Sequence, residues 1–516
     1  MKPKKALISV SDKTGVVIFA QELQAMGWEI VSTGGTAKTL QDAGLKVKDV
    51  SELTGFPEIL EGRLKTLHPL VHGGILGRRD SALHMQQLQE HGIEPIDLVA
   101  VNLYPFPEVV AKEGVTLEEA IENIDIGGPT MVRAAAKNYQ DVIVVVEPGD
   151  YSTVVEELRR DGDLSLESRY NLALGAYTHT AYYDSIISNY LREQSANKER
   201  FPAILTMPFT KVQDLRYGEN PQQKASFYRE PLPSKTSLAA GKQLQGKELS
   251  FNNINDLNAT WEIVQEFEEP AAVAVKHTNP CGVGAAYTLL EAYRKAYAAD
   301  PVSIFGGIVA LNREVDEETA LEMSKIFLEV IAAPAFSPAA LRVLGRKKDV
   351  RLMEIALAAP AKKVNEPDFK KVGGGLLLQD GLQEIYQVGE WRNVTTRKPT
   401  EQEMKDLLFA LKVVKHVKSN AIVIAKRQQT LGIGAGQMSR VGAVKIAAEQ
   451  AGEEIKGSVL ASDAFFPFKD GVEIAVKEGV TTIIQPGGSN RDEEVIKTCE
   501  QYHVAMLFTG KRYFKH

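Results

Sequence analysis

Four short runs rich in Val, Ile and Leu, namely ALISV (6–10), WEIVS (28–32), DLVAVNLY (97–104) and DVIVVV (141–146), alternate with helical patterns such as TGVVIFAQELQAMG and TMVRAAAKN. Strands of this kind, regularly interrupted by helices, predict an α/β fold with a parallel sheet covered on both faces. Such sheets bind ligands beyond the carboxyl ends of their strands. The loops that follow the apolar runs are therefore the first places to look for chemistry.

The chain has 516 residues, too many for one core; at roughly 150 residues per domain it suggests about three units, counting subdomains. The polar, charged stretch REQSANKERFP, closed by a proline, suits an exposed connection. It places a domain boundary near Lys198, dividing the chain into 1–198 and 199–516. Beyond it, AAVAVKH (271–277) and AIVIAK (421–426) each lead into a glycine-containing turn, and SIFGGIVAL (303–311) and SDAFFPF (462–468) follow at similar distances. This weak internal echo suggests two related subdomains, with coincidence as the alternative.

A net charge of -7 gives no general attraction for nucleic acid or an anionic membrane surface, so any phosphate must be held by a local site. Two cysteines, Cys281 and Cys499, exclude a disulfide framework and fit a reducing compartment. The basic start MKPKKALISV runs into SDKTG before a signal-peptide core could form, and no run approaches membrane-spanning length. A soluble cytoplasmic protein is expected.

Ser11-Asp12-Lys13-Thr14-Gly15 follows the first strand, and Thr33-Gly34-Gly35-Thr36 follows the second. Backbone amides at a helix start, small residues, hydroxyls and a lysine make an anion site suited to one phosphate. Each segment alone could be an ordinary helix cap. Gly62-Arg63-Leu64-Lys65-Thr66-Leu67-His68-Pro69 adds two cations and a hydroxyl. His68 and His72 are four apart, but Pro69 and the missing glutamate of the HExxH pattern argue against zinc. In IDIGGPT, Asp125 precedes a helix that ends at Lys137; these could be a structural carboxylate and a dipole partner.

In AVAVKHTNPCG, Lys276 and His277 stand at the tip of a buried run, and Asn279-Pro280 and Cys281-Gly282 predict the turn immediately after them. Pro280-Cys281 is half of a zinc deaminase PCxxC motif, but Gly284 occupies the second cysteine position and no H-x-E partner lies near. Gly432-Ile433-Gly434-Ala435-Gly436 does not fit GxGxxG.

SDKTG, STGGTAKTL, GRLKTLHPLVHGGIL, NLYPF, IDIGGPTMVRAAAKN, LRYGENPQQ, VKHTNPCG, GIGAGQMSR, SDAFFPFKDGVE and RYFKH follow one another along essentially the whole chain. In this content and order the chain resembles the bifunctional purine-biosynthesis family that joins AICAR formyltransferase to IMP cyclohydrolase. The resemblance implies a methylglyoxal-synthase-like N-terminal domain and a C-terminal domain of two cytidine-deaminase-like subdomains without catalytic zinc. It implies formyl transfer from 10-formyltetrahydrofolate, the cosubstrate, to the 5-amino group of AICAR, then closure of formyl-AICAR to IMP with loss of water. It also implies a homodimer with shared formyltransferase sites and a structural potassium ion.

By the same resemblance, His277 is the base that takes the proton of the weakly nucleophilic amine, and an imidazole with an ordinary pKa near ~6.5 suits that task. Lys276 then stabilises charge on the formyl oxygen, and Asn420 orients the histidine or the carboxamide. Arg216, Tyr217, Gly306, Arg440, Phe465 and Arg512 match substrate-binding positions, with core packing as the alternative for Phe465. Glu329 stands where the family pattern carries an aspartate. In the first domain Ser11, Lys13, Thr33, Gly34, Gly35, Thr36, Arg63 and Thr66 match the nucleotide-binding pattern. Lys65, Tyr104, Asp125 and Lys137 form the implied chemical set, with Lys137 or Tyr104 stabilising the oxyanion. Two rivals stand beside this expectation, a zinc-dependent base deaminase and a metal-free nucleotide- or folate-binding protein.

Overall fold

The computed structural model describes residues 3–197, 199–357, 367–382 and 386–516. The chain divides into two compact units, Met1–Thr210 and Lys211–His516. The expected boundary residue Lys198 lies outside the described residues.

The four apolar runs of the N-terminal unit become strands β1 (Lys5–Val10), β2 (Glu29–Ser32), β4 (Leu98–Asn102) and β5 (Ile143–Val145), joined by a short β3 (Val47–Asp49). All pair in parallel, in the order β3-β2-β1-β4-β5. Alternate residues feed two cores. Leu7, Val31, Val99 and Val144 pack with Met131 and Tyr183, whereas Ile8, Ile30, Leu98 and Ile143 pack with Phe19, Leu23 and Leu158. Burial on both faces explains why these strands read as continuous apolar runs. Strand β1 lies between β2 and β4, where the winding reverses, and that switch point is where a crevice opens.

The C-terminal unit is built on a twelve-stranded sheet whose order is palindromic. Its first half comprises β8 (Lys242–Gln245), β9 (Ala271–Lys276), β10 (Asn279–Ala285), β11 (Ile308–Leu311), β12 (Val330–Ala333) and β13 (Arg351–Glu354). The second comprises β16 (Arg392–Asn393), β17 (Ile422–Lys426), β18 (Gln429–Gly434), β19 (Val459–Ser462), β20 (Thr482–Gln485) and β21 (Ala505–Phe508). The order β16-β21-β20-β19-β17-β18-β10-β9-β11-β12-β13-β8 reads the same from either edge, with the seam between β18 and β10. Two small hairpins, β6 (Thr210–Leu215) with β7 (Ala225–Arg229) and β14 (Pro367–Val372) with β15 (Gly375–Asp380), form separate sheets.

The echo of AAVAVKH in AIVIAK is thus a duplication. In each half a helix, Phe251–Val264 or Glu401–Val414, precedes a two-stranded hairpin, and a second helix, Leu289–Ala299 or Arg440–Ala451, lies directly on the hairpin's second strand. Glycine permits that approach. A Cβ on Gly284 would sit 2.4 Å from the Ala292 carbonyl oxygen, and one on Gly434 would sit 2.0 Å from that of Ala443.

Candidate active sites

The crevice of the N-terminal unit is a cavity of about 610 Å³. Into it open the loop after β1 with Ser11 and Lys13, the loop after β2 with Thr33 to Thr36, and the end of β4 with Asn102 and Tyr104. Arg63, Lys65, Thr66 and Asp125 complete the wall. Of the set expected for this domain, only Lys137 is absent from the lining. It is the last, exposed residue of the helix Gly127–Lys137, about 15 Å along the axis from the end that meets the cavity.

Two helices point their N-termini into this space. The helix Gly34–Asp42 begins at Thr33 without a side-chain cap, which leaves its first amides for a ligand. The Lys65 ammonium lies 3.8 Å from the position of a Cβ on Gly34, and that of Lys13 lies 4.0 Å from one on Gly35. Two cations and a helix terminus thus converge on one spot, an arrangement suited to a phosphate. Thr36 faces inward instead, exchanging hydrogen bonds with the backbone of Val10, and Thr33 shares one with Ser9 at 2.7 Å. These hydroxyls set the loop. Arg63 is exposed and paired with Glu122.

The second terminus belongs to the helix Gly127–Lys137. The amide of Gly128 donates to the Asp125 carboxylate at 2.8 Å, and the amide of Asp125 donates to the Tyr183 hydroxyl at 2.9 Å. Burial pushes the Asp125 carboxyl above the ordinary aspartate range, while the Gly128 amide, Lys65 and the Tyr104 amide pull it back. Burial also pushes the Tyr183 hydroxyl up to about 12, so it stays protonated. The loop after β1 is held by Asn102, whose side-chain oxygen accepts the amides of Ser11 and Asp12 at 2.6 and 2.9 Å. Asn102 is absent from the set expected from the sequence. Its signal was a buried polar residue closing the apolar run LVAV.

His68 and His72 have separate, local roles. The Nδ1 of His68 accepts the Leu70 amide and caps the helix Pro69–Leu76, and burial lowers the pKa of His72. Among the described residues no three His, Cys, Asp or Glu side chains gather as metal ligands.

In the C-terminal unit the structure corrects the expected position of the turn after Lys276. Asn279 to Ala285 form strand β10, and the turn is His277-Thr278 itself, with φ of 54° and 62°. Lys276 pairs with Asn279 across a tight hairpin. Pro280 and Cys281 fit a strand here because the register shifts between Pro280 and Gly282, a bulge that relieves the proline of ladder bonding. The amides of His277 and Thr278 both donate to the Asp256 carboxylate, at 3.2 and 2.7 Å. Lys276 reaches back to the Phe305 carbonyl at 3.1 Å, beside Gly306.

Asn279 links this turn to the other half. Its Nδ2 donates to the His277 carbonyl and its Oδ1 accepts the amide of Lys418. Two residues on, the Asn420 amide is fixed in orientation. Its Nδ2 donates to the Gln437 carbonyl at 2.8 Å, and its Oδ1 accepts from Arg440 at 2.6 Å. Lys276, His277 and Asn420 are therefore tied into one network drawn from both halves. Arg440 is buried and also bonds Ser462 and Asp463. In this structure its guanidinium orients Asn420, because the buried carboxylate of Asp463 already takes its charge.

The C-terminal tail joins the same network. The Tyr513 amide donates to the Asp463 carbonyl, and the Ser419 amide donates to the Lys515 carbonyl. Arg512 is exposed, its guanidinium 4.4 Å from the Phe514 ring centre. Phe465 is 38% exposed, whereas its neighbour Phe466 is the core residue. Arg216 and Tyr217 stack at 5.7 Å in the link between β6 and β7, which is tied to the helix carrying Asp256 through Asn252. Glu329 pairs with Arg351 at 2.7 Å, and its amide donates to Gly307.

A family model described as MGS-like domain matches residues 15–130, and one described as AICARFT/IMPCHase bienzyme matches residues 135–450. The bifunctional purine biosynthesis protein PurH of Acetivibrio thermocellus is 58% identical over 513 residues, spanning 99% of this chain and 100% of the relative. PurH of Bacillus subtilis is 57% identical over 516 residues, spanning 100% of both. The chain belongs to the AICARFT/IMPCHase bienzyme family.

Its fold is the family's, with an MGS-like domain first and the AICARFT/IMPCHase region after it. As a member of this bienzyme family it carries AICAR formyltransferase and IMP cyclohydrolase activities, the last two steps of IMP synthesis. A solved structure titled "Crystal structure of ForH" covers 36% of the chain and 95% of its own at 38% identity, with a TM-score of 0.34. Within the bienzyme, Asn102 and Asp463 are residues that the motifs contained but did not single out, and Asp256 lies outside the motifs altogether. Asn102 and Asp463 are buried at strand ends and Asp256 is half-buried on a helix, where the sequence alone shows no partner.

Proposed function

We propose that the N-terminal cavity closes formyl-AICAR to IMP and that the network around His277 and Asn420 transfers the formyl group. The single observation that carries the first assignment is the convergence of Lys13, Lys65, Asp125 and two helix N-termini on one cavity. A phosphate anchored by Lys13 and the amides of Gly34 and Gly35 leaves the base to reach Lys65, Tyr104 and Asp125. Ring closure is intramolecular, so orientation supplies much of the acceleration. Asp125 is suited to take the carboxamide proton, because partial burial makes its carboxylate more basic than usual. Tyr104 lines the cavity and takes the oxyanion role in preference to Lys137, which stands at the far end of its helix.

In the transferase site His277 accepts the amine proton, Lys276 stabilises the formyl oxygen and Asn420 orients the acceptor, with 10-formyltetrahydrofolate as cosubstrate. Arg216, Tyr217, Phe465 and Arg512 offer exposed or half-buried side chains for nucleotide and folate. The active assembly is a homodimer with shared transferase sites, in the cytoplasm. No helix among the described residues is long and apolar enough to cross a membrane.

The experiment follows tetrahydrofolate and IMP separately. Asp125→Asn should keep the Gly128 amide capped while removing the base. It should lower closure of supplied formyl-AICAR by about 10²- to 10⁴-fold and leave formyl transfer unchanged. The acid limb of the wild-type closure rate should lie above the ordinary aspartate value near ~3.9 and vanish in this variant. The stability change has a defined sign. A carboxylate whose pKa is raised by folding costs stability as pH rises from the ordinary value through the raised one, so Asp125→Asn should melt no lower than wild type at neutral pH. Unchanged closure would refute the assignment.

Lys13→Ala should act on binding. Loss of one charge-assisted phosphate contact, worth roughly 1.5–3 kcal/mol, should raise KM for formyl-AICAR about tenfold or more with kcat little changed. A change confined to kcat would place the phosphate elsewhere.

A further inference from the structure

The C-terminal unit contains two copies of one device. Asp256, on the helix Phe251–Val264, accepts the amides of His277 and Thr278; Asp406, on the helix Glu401–Val414, accepts those of Arg427 and Gln428, both at 2.8 Å. Each carboxylate occupies the same place in its helix, counted from the caps Ser250 and Thr400, and precedes its turn by the same offset. Both turns hold two successive non-glycine residues at positive φ. That backbone favours Asn or Gly, and Thr278 is β-branched, so the turn is uncommon and needs support from outside itself.

The palindromic sheet places the turns at opposite ends of the seam. The His277 turn meets Lys418 and, beyond it, Asn420, Arg440 and Asp463. The Arg427 turn meets the first half instead, since the Ala285 amide donates to the Gln428 carbonyl at 2.9 Å. There the counterparts of Asn420, Arg440 and Asp463 are Pro270 before β9, Leu289 opening the following helix, and Asn312 after β11. Lys295 fills the space, donating to the carbonyls of Ala285 and Arg427 at 2.8 and 2.7 Å. One end of the seam thus carries His277, Asn420 and Arg440. The other keeps the same backbone clamp and a matching lysine, Lys426, which donates to the Lys456 carbonyl as Lys276 does to that of Phe305, without those three groups.

We propose that Asp256 is a positioning residue for formyl transfer, acting through the His277-Thr278 turn. This rests on the assignment of His277 as the proton acceptor. The imidazole is exposed and stands on a two-residue turn, so its placement against the amine depends on how firmly that turn is held. Two amide bonds to the half-buried carboxylate of a packed helix hold it. Displacement of a reacting group by about 1 Å can cost on the order of 10²-fold in rate.

The duplicate supplies a matched control. Asp256→Asn and Asp406→Asn each replace one accepting oxygen by an NH2 group facing a turn amide, and each should lower the melting temperature of this unit by a similar amount. At a temperature where both variants are folded, Asp256→Asn should lower kcat for formyl transfer by about ten- to a hundredfold, with KM for AICAR within about threefold. Asp406→Asn should keep kcat within about twofold, and closure of formyl-AICAR should be unchanged in both. If Asp256→Asn does not fold, Asp256→Ser and Asp406→Ser, whose hydroxyls can still accept one amide, are compared in the same way. Equal losses of kcat in the two variants, or none in either, would overturn the proposal. Failure of the underlying assignment looks different, because His277→Ala would then retain full transfer.

Discussion

Replacing His277 with alanine is expected to lower formyl transfer by about 10²- to 10⁴-fold, the range for loss of a positioned general base, while closure of supplied formyl-AICAR proceeds at the wild-type rate. The 5-amino group of AICAR is a poor nucleophile because its lone pair is delocalised, so attack on the formyl carbon needs its proton removed as the bond forms. The imidazole is exposed at a turn, where removing it leaves no cavity and little stability is at stake. The melting temperature should therefore not change, and the rate loss should report chemistry alone. The two products give two readouts from one chain. Loss of both activities would mean that the substitution had disturbed more than the transferase site, and loss of neither would move the base elsewhere.

The largest expected effect on folding comes from Gly434→Val. A Cβ there would stand 2.0 Å from the Ala443 carbonyl oxygen and 2.7 Å from its carbonyl carbon. Both are backbone atoms of the helix Arg440–Ala451, so no side chain can rotate away. The helix would have to lift off β18, opening contacts of Ala443, Val444 and Ala447 in a closely packed core. A cost beyond about 4 kcal/mol is expected, enough to unfold a unit of ordinary stability. Arg440, which orients Asn420, begins the same helix. Formyl transfer should be lost with the fold, while the cyclohydrolase of the other unit should survive. A variant with wild-type transfer and melting temperature would show that the helix yields freely.

The N-terminal sheet was legible because a parallel strand buried on both faces leaves an unbroken apolar run, and ALISV, DLVAVNLY and DVIVVV each became a strand. The phosphate-like loops were legible for the same reason, since strand ends show where loops must begin. The turn at His277-Thr278 was not. Its sequence carries neither Asn nor Gly, and its positive φ values depend on a carboxylate 21 positions earlier in the chain. Asn279-Pro280 imitated a turn, but a bulge makes that proline compatible with a strand. Arg440 was named only as a match to the family's substrate-binding positions; its burial against Asp463 and its bond to Asn420 are contacts between distant segments that the sequence does not show. Lys137 shows the converse limit, since a sequence motif does not tell which end of a helix meets a cavity.

The duplicated halves share more than a seam. One core cluster draws Trp261, Val264 and Phe267 from the first half and Phe409, Val413 and Val417 from the second, and the rings of Phe267 and Phe409 lie 5.4 Å apart. Neither half has a complete interior by itself. They must gain and lose structure together, as one cooperative block, so the hairpin of the Arg427 turn is held by the same interior as that of the His277 turn. Removing either half would strip the apolar cover from the other, so the repeat that lacks a histidine in its turn is as necessary to the fold as the one that has it.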